Sequence, residues 1–151
     1  MTIYLAIYSP SSVQKVVDFV KTVFASGIYV PVLIKPIGAA AQIGVPEAFK
    51  IAYKMGKPLV VLPEITDIVG VLRVDKLYYL DEAGEEVLLR AIATETNRDV
   101  AIVVPSGEQE PSRKELEKTS VVWPREIPRG LPAVAVSAIL IYELLKSHQV
   151  T

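Results

Sequence analysis

Apolar positions along the 151-residue chain change their period repeatedly, and each change marks an element. Residues 2 to 8 are a β-rich run that stops at Ser9-Pro10. A helix is predicted next. Ser11 or Ser12 suits its N-cap, and Val13, Val16, Val17, Val20, Val23 and Phe24 recur at helical spacing until Gly27, with Lys15, Asp18 and Lys21 off the stripe. Residues 28 to 34 form another β-branched run, and Pro36 to Gly44 reads as a tight loop of small residues bounded by glycines. Pro46 suits the first turn of a helix carrying Ala48, Ile51, Ala52 and Met55 and ending at Gly56.

Leu59 to Leu62 is a continuous apolar strand of the kind buried on both faces, and Pro63-Glu64 opens a short helix through Ile65, Ile68, Val69 and Leu72. Lys76 to Leu80 reads as a strand and Asp81 to Glu85 as a turn, while Val87 to Ala93 suits helix and strand equally. Val100 to Val104 is the next buried strand, followed by a polar loop from Pro105 to Glu110. Ser112-Arg113-Lys114-Glu115 reads as a capping turn into a short helix, and Ser120 to Trp123 as a last small strand. After a segment with prolines at 124, 128 and 132, the helix from Leu131 to Leu145 is apolar on nearly every side. It is too short to span a bilayer, where roughly 20 apolar residues are needed. Protein must therefore cover it: the chain's own core, a second subunit, or both. Strands alternating with helices across short loops predict one α/β domain over residues 1–151 with a mostly parallel sheet.

Charge adds little at the level of the whole chain, since 16 basic residues face 17 acidic ones, and a polyanion site would have to be local. The absence of cysteine excludes disulfides, thiolate metal sites and cysteine nucleophiles, and the single histidine, His148, sits in the C-terminal tail. The N-terminus lacks a basic flank and a small-residue cleavage site and reads as a first strand, which points to a cytoplasmic protein with no membrane partner. In a parallel sheet ligands gather at the carboxyl ends of strands. Here those ends are Tyr8-Ser9-Pro10, Leu62-Pro63-Glu64, Val104 to Glu108 and the proline-rich segment, and none carries a dinucleotide or phosphate-loop glycine pattern.

Two segments together resemble the SpoU branch of the SPOUT RNA methyltransferases. Ala101 to Ser112 is similar to that family's strand, its loop with serine, glycine and glutamate, and the short helix after it. Ile127-Pro128, Leu131 and Val136 to Leu144 are similar to its final motif, an isoleucine-proline loop leading into an alanine-rich helix that ends in tyrosine-glutamate-leucine. The resemblance covers roughly the last third of the chain and is nearest to small archaeal SpoU-like proteins without an RNA-binding extension, some of them labelled RecB-like nucleases.

The resemblance implies an α/β fold whose C-terminal segment makes a trefoil knot, an exception to the unknotted rule. It also implies a homodimer that packs the last helix across a two-fold axis. The implied cofactor is S-adenosylmethionine, its contacts falling on Leu62 and Pro63, on Ser106 and Gly107, and on Ile127 and Leu131, with Glu108 as the catalytic candidate and no metal. SpoU enzymes also carry an asparagine and an arginine in the first loop and helix. Residues 9 to 21 contain neither, and Pro132 stands where an asparagine opens the last helix. Lys15 or Lys21 is a candidate substitute for the arginine beside a phosphate, although lysine does not reproduce its bidentate contacts. Arg125 and Arg129 are candidate contacts to RNA phosphate, and Trp123 reads as a core or interface anchor.

Three functions remain open at this point. The first is methylation of RNA at a ribose hydroxyl. The second is a non-catalytic module of the same fold that binds RNA or protein. The third is a nuclease, which needs an aspartate followed by Glu-x-Lys on a strand for its magnesium, and the chain contains no Glu-x-Lys.

Overall fold

A computed structural model describes residues 2–93 and 98–149, and the side chain of His148 lies outside the described residues. The elements are β1 (Ile3–Tyr8), α1 (Val13–Ala25), β2 (Val30–Ile34), α2 (Val45–Met55), β3 (Val60–Leu62), β4 (Lys76–Val87), α3 (Leu89–Ala93), β5 (Val100–Pro105), β6 (Ser120–Pro124) and α4 (Ala133–Gln149). Six strands form one sheet in the order β3-β2-β1-β5-β4-β6, every pair parallel. The α/β class expected from the alternation of strands and helices is the class observed. β1 and β5 lie at the centre, which is why Leu5 to Ile7 and Val100 to Val104 are unbroken apolar runs with no exposed side chain.

The two faces of the sheet are covered differently. On one, Leu5, Ile7, Leu80, Ile102 and Val104 pack with α1, α3 and α4 into the larger core. On the other, Ala6, Tyr8, Tyr79 and Val103 meet Ile65 and Ile68 from the short segment between β3 and β4. α1 begins as its sequence predicts, with the Ser12 hydroxyl accepting the Lys15 backbone N–H at 3.1 Å.

Several elements differ from the sequence reading. Residues 38 to 44 are helical and not a loop, and a π-helical turn over Ala40–Gly44 runs directly into α2. Gly44 permits this, because a Cβ there would stand 3.3 Å from Val16 Cβ on α1. The segment after Leu62 ends in a second π-helical turn, Ile68–Leu72. Asp81 to Glu85 does not end its strand: Leu80 and Glu85 both face Val122 of β6, so residues 81 to 84 bulge out and β4 resumes to Val87. Gly84 lies against backbone, where a Cβ would fall 2.9 Å from the Val121 carbonyl. The ambiguous stretch after Val87 is the short helix α3, its first N–H donated to the Glu126 carboxylate at 3.0 and 3.1 Å.

The last helix starts two residues later than its apolar run, with the Pro132 carbonyl accepting the Val136 N–H at 3.0 Å. Ala133, Val136, Leu140, Ile141 and Leu144 are buried in the chain's own core, whereas Ala138 is exposed and Tyr142 is 64% exposed. Among the described residues no helix is long and apolar enough to cross a membrane.

Candidate functional site

The strand order reverses direction between β1 and β5, and the loops beyond their carboxyl ends stand at the crossover, the place where parallel sheets bind ligands in a crevice. Ser9 follows β1 with φ 49°, fully buried, its N–H given to the Ile34 carbonyl at 2.7 Å. Its hydroxyl donates to Gln109 Oε1 at 2.7 Å, and the Ser106 hydroxyl donates back to the Ser9 carbonyl at 3.1 Å. Gly107, at φ 83°, turns the chain after β5 and brings Glu108 over the start of α1. There Lys15 Nζ donates to Glu108 Oε1 at 2.7 Å and to the Ser106 carbonyl at 2.8 Å. The side chains of this pair are 25% and 29% exposed, so the ion pair at the crossover is neither buried nor free. Lys15 first, and the Ser11 hydroxyl next, hold the Glu108 carboxyl below its ordinary range, and it is ionised at neutral pH.

A second network lies on the opposite face of the sheet. The Tyr8 hydroxyl donates to Glu115 Oε2 at 2.9 Å, and Lys35 Nζ stands 3.5 Å from Glu115 Oε1. Ser112 and Glu115 exchange hydrogen bonds as a capping box, at 2.9 and 3.2 Å, though only turns follow. The Tyr8 ring meets Tyr79 edge-on with centroids 6.5 Å apart. Burial and then Glu115 push the Tyr8 phenol above its ordinary range. Burial pulls the Glu115 carboxyl up as well, but Tyr8, the Ser112 N–H and Lys35 outweigh it and hold the group below its ordinary range. Apart from the local Ser112–Glu115 cap, these partners cannot be paired from the sequence, since Tyr8 and Glu115 are 107 residues apart.

The third cluster closes the far side of the site. Trp123 is buried and donates its indole N–H to the Ile127 carbonyl at 2.9 Å, which makes it a core anchor. Arg125 pairs with Glu86 at 2.8 Å and Arg129 with the same carboxylate at 3.5 Å, both across from the resumed half of β4. Arg125 and then Arg129 hold the Glu86 carboxyl below its ordinary range. The Gly130 N–H is given to the Glu82 carboxylate at 3.2 and 3.3 Å.

The residues singled out in the sequence separate accordingly. Ser106, Gly107 and Glu108 lie beyond β5, and Ile127 and Leu131 beyond β6, with the end of β4 between them. At roughly 4.8 Å per strand the two groups are about 10 Å apart. Leu62 and Pro63 lie apart from both groups. They end β3, the opposite edge of the sheet and five strand spacings from β6, because β2, β1, β5 and β4 intervene. That interval is about 24 Å. Lys15 meets Glu108, whereas Lys21, two turns further along α1, points to solvent. Ser9, Gln109 and Glu82 were not singled out; the serine after a strand was a visible signal, but its partner 100 residues away was not. Among the described residues no three histidine, aspartate or glutamate side chains stand together as a metal site.

Comparison with known proteins gives two kinds of likeness. A family described as RecB-family nuclease (DUF2122) matches residues 38–143. ApeKORF2002P, a candidate type II restriction enzyme of Aeropyrum pernix, is 33% identical over 141 residues, 93% of this chain and 90% of that one. Among solved structures, a candidate methyltransferase of Bordetella pertussis Tohama I superposes with a TM-score of 0.74 at 16% identity, over 96% of this chain and 93% of the other. The SpoU methyltransferase AviRb of Streptomyces viridochromogenes, solved with AdoMet, gives 0.73 at 14% identity, over 99% of this chain and 62% of its own. The shared architecture is the α/β fold of the SpoU methyltransferases.

Proposed function

Because the chain belongs to the family described as RecB-family nuclease (DUF2122) while its fold is that of the SpoU methyltransferases, we propose that it binds S-adenosylmethionine and methylates RNA at a ribose hydroxyl. The observation that carries this reading is the Lys15–Glu108 pair at the crossover of the sheet, held beside a glycine turn by Ser9, Ser106 and Gln109. An ionised carboxylate there accepts a hydrogen bond from an incoming hydroxyl and orients its oxygen. A carboxyl held low is a weak base, so Glu108 positions the acceptor more than it strips its proton. Lys15 keeps that carboxylate in place.

The neighbouring loops fit the cofactor. Gly107 and Gly130 both have positive φ and open space where a Cβ would be, so the backbone on either side of the end of β4 is approachable. Glu82 and Glu86 supply carboxylates suited to a cationic group. Ser106, Gly107 and Leu131 would hold it, over a floor that includes buried Ile127. S-adenosylmethionine supplies an electrophilic methyl group on a sulfonium. The C-terminal knot belongs to the same reading, and the ties of Arg125 N–H to the Val87 carbonyl and of Gly130 to Glu82 support it by pinning the 124–132 crossing against β4.

The reading includes a homodimer through α4, supported by the exposed stripe of Ala138, Tyr142 and Lys146, spaced four residues apart along the helix. Tyr142→Glu is expected to lower the sedimentation coefficient to that of a monomer. Isothermal calorimetry with S-adenosylmethionine tests the cofactor, and transfer of labelled methyl to RNA, lost in Glu108→Gln, tests the reaction. No heat and no thermal shift at millimolar cofactor would sink the proposal. Magnesium-dependent cleavage of nucleic acid would restore the nuclease reading that the family description carries.

A further inference from the structure

The outward side of α2 is unusual for a surface helix. Its inward side is made of Gly44, Ala48 and Ala52, buried small residues that bring the helix close to α1. The outward arc carries Ile43, Pro46, Phe49, Lys50, Tyr53 and Lys54, all exposed, and Tyr53 is 88% exposed. Single exposed apolar residues need no explanation. Here two aromatic rings stand one helical step of four residues apart, about 6 Å along the axis, and each is followed directly by a lysine. Lys57 follows the left-handed cap at Gly56 and gives its ammonium to the Phe24 carbonyl at the end of α1 at 3.3 Å. Against Lys50, Lys54 and Lys57 the helix and its cap hold a single acidic residue, Glu47, which pairs with Lys50 at 3.3 Å. The face is therefore positive on a chain whose net charge is −1.

One occupant suits both the rings and the lysines. A protein partner covering the rings would bury ammonium groups, and lysine is depleted in the cores of protein interfaces. A duplex keeps its bases stacked on one another and offers no free base face to a protruding ring. A single strand of nucleic acid presents bases that stack on aromatic side chains and phosphates that meet lysine.

The helical run is also joined to the crevice. The Ile37 N–H is given to the Pro10 carbonyl at 3.0 Å and the Ala40 N–H to the Ser11 carbonyl at 3.1 Å. The same loop holds Ser9 and leads into Lys15. From Tyr53 back to Ile43 the helix covers about 15 Å, and its first turn abuts that loop.

We propose that the outward face of α2 is a platform for single-stranded nucleic acid, with Phe49 and Tyr53 stacking on bases, Lys50 and Lys54 meeting phosphates, and the strand running toward Ser11 and Lys15. The direction of the strand and its fate in the crevice rest on the RNA reading above; the platform itself does not.

The test is fluorescence anisotropy of the whole chain with a labelled, unstructured 12-nucleotide uridine-rich RNA. Tyr53→Ala is expected to weaken binding at least about fivefold, and Phe49→Ala with Tyr53→Ala at least about 25-fold, while Tyr53→Trp retains it. Lys50→Gln with Lys54→Gln is expected to flatten the dependence of log K on log salt by about 1.4, roughly 0.7 per phosphate contact. The exposed rings carry no core packing, so the thermal midpoints of these variants stay at the wild-type value. Absence of binding by the wild-type chain, unchanged binding by the double alanine variant, or equal competition by a duplex of the same length would each overturn the proposal. So would α2 variants that change the sedimentation coefficient, since the face would then hold a second copy of the chain. A chain that binds RNA through α2 but gives no heat with S-adenosylmethionine overturns the methyl-transfer reading and leaves the platform standing, and the converse result does the opposite.

Discussion

Two charged clusters stand at the carboxyl edge of the same sheet and are built on opposite terms. At the β1–β5 crossover Ser9, Lys15, Ser106, Glu108 and Gln109 bond to one another across more than 90 residues of sequence, and Ser9 and Ser106 are buried. Beyond β6 the pairs of Arg125 and Arg129 with Glu86 are mostly in solvent, at 68% and 43% exposure for the first. Exposed pairs of this kind contribute little to stability and are screened by salt. The first cluster is a fixed fixture of the fold, and the second can let go of its partners when something else arrives. A site that orients one reactant and admits another needs both kinds.

The sharpest way to break the comparison is Ser9→Val, which places a β-branched residue at φ 49° and removes a buried hydrogen bond. Unfolding in urea is expected to show a loss of about 2–4 kcal/mol. Lys15→Met comes next, with about 1–2 kcal/mol lost at neutral pH, since the Ser106 carbonyl and Glu108 lose a charge-assisted partner. Its pH dependence has a definite sign. Glu108 titrates lower in the folded state than its ordinary 4.5, so the contribution of the pair is complete above that value and is lost as pH falls through the lowered one. The gap between the urea midpoints of wild type and Lys15→Met should therefore narrow as the pH falls below 4.5, to the part that the Ser106 carbonyl contributes. If the gap does not narrow in acid, the ion pair is not its source.

Trp123→Phe keeps the core filled but frees the Ile127 carbonyl, and about 1 kcal/mol is expected to go. The smallest effect belongs to the second cluster. Arg125→Gln should leave the denaturation midpoint where it is at both low and high salt. A measurable shift would mean that the β6 end is as fixed as the crossover, and the contrast would fail.

Legibility in the sequence followed the range of the interactions involved. α1 could be read because its cap, Ser12, and its stripe of valines and phenylalanines lie within one stretch. The capping box at Ser112 and Glu115 was equally local, and so was the apolar run that became α4. The partner that holds Lys15 was not readable, because Glu108 reaches it only after the sheet has set β1 beside β5. The π-helical turn at Ala40–Gly44 hid behind small residues that look like a loop, since its cause is the approach of Gly44 to Val16. The place of Leu62 was unreadable for the same reason: a carboxyl end looks the same in sequence at the centre of a sheet and at its edge.

The bulge in β4 has a consequence for how such a chain can change over time. Val122 is faced first by Leu80 and then by Glu85, so the strand leaves its neighbour and returns to the same rung. Everything downstream, from the Glu86 carboxylate to the cap of α3, is aligned as though the excursion had not happened. The ladder between β4 and β6 does not depend on the length of residues 81 to 83, provided Gly84 remains where the backbone of β6 passes and Glu82 still reaches Gly130. The protein carries an adjustable segment next to its candidate site, and relatives can differ there in reach while sharing the same frame.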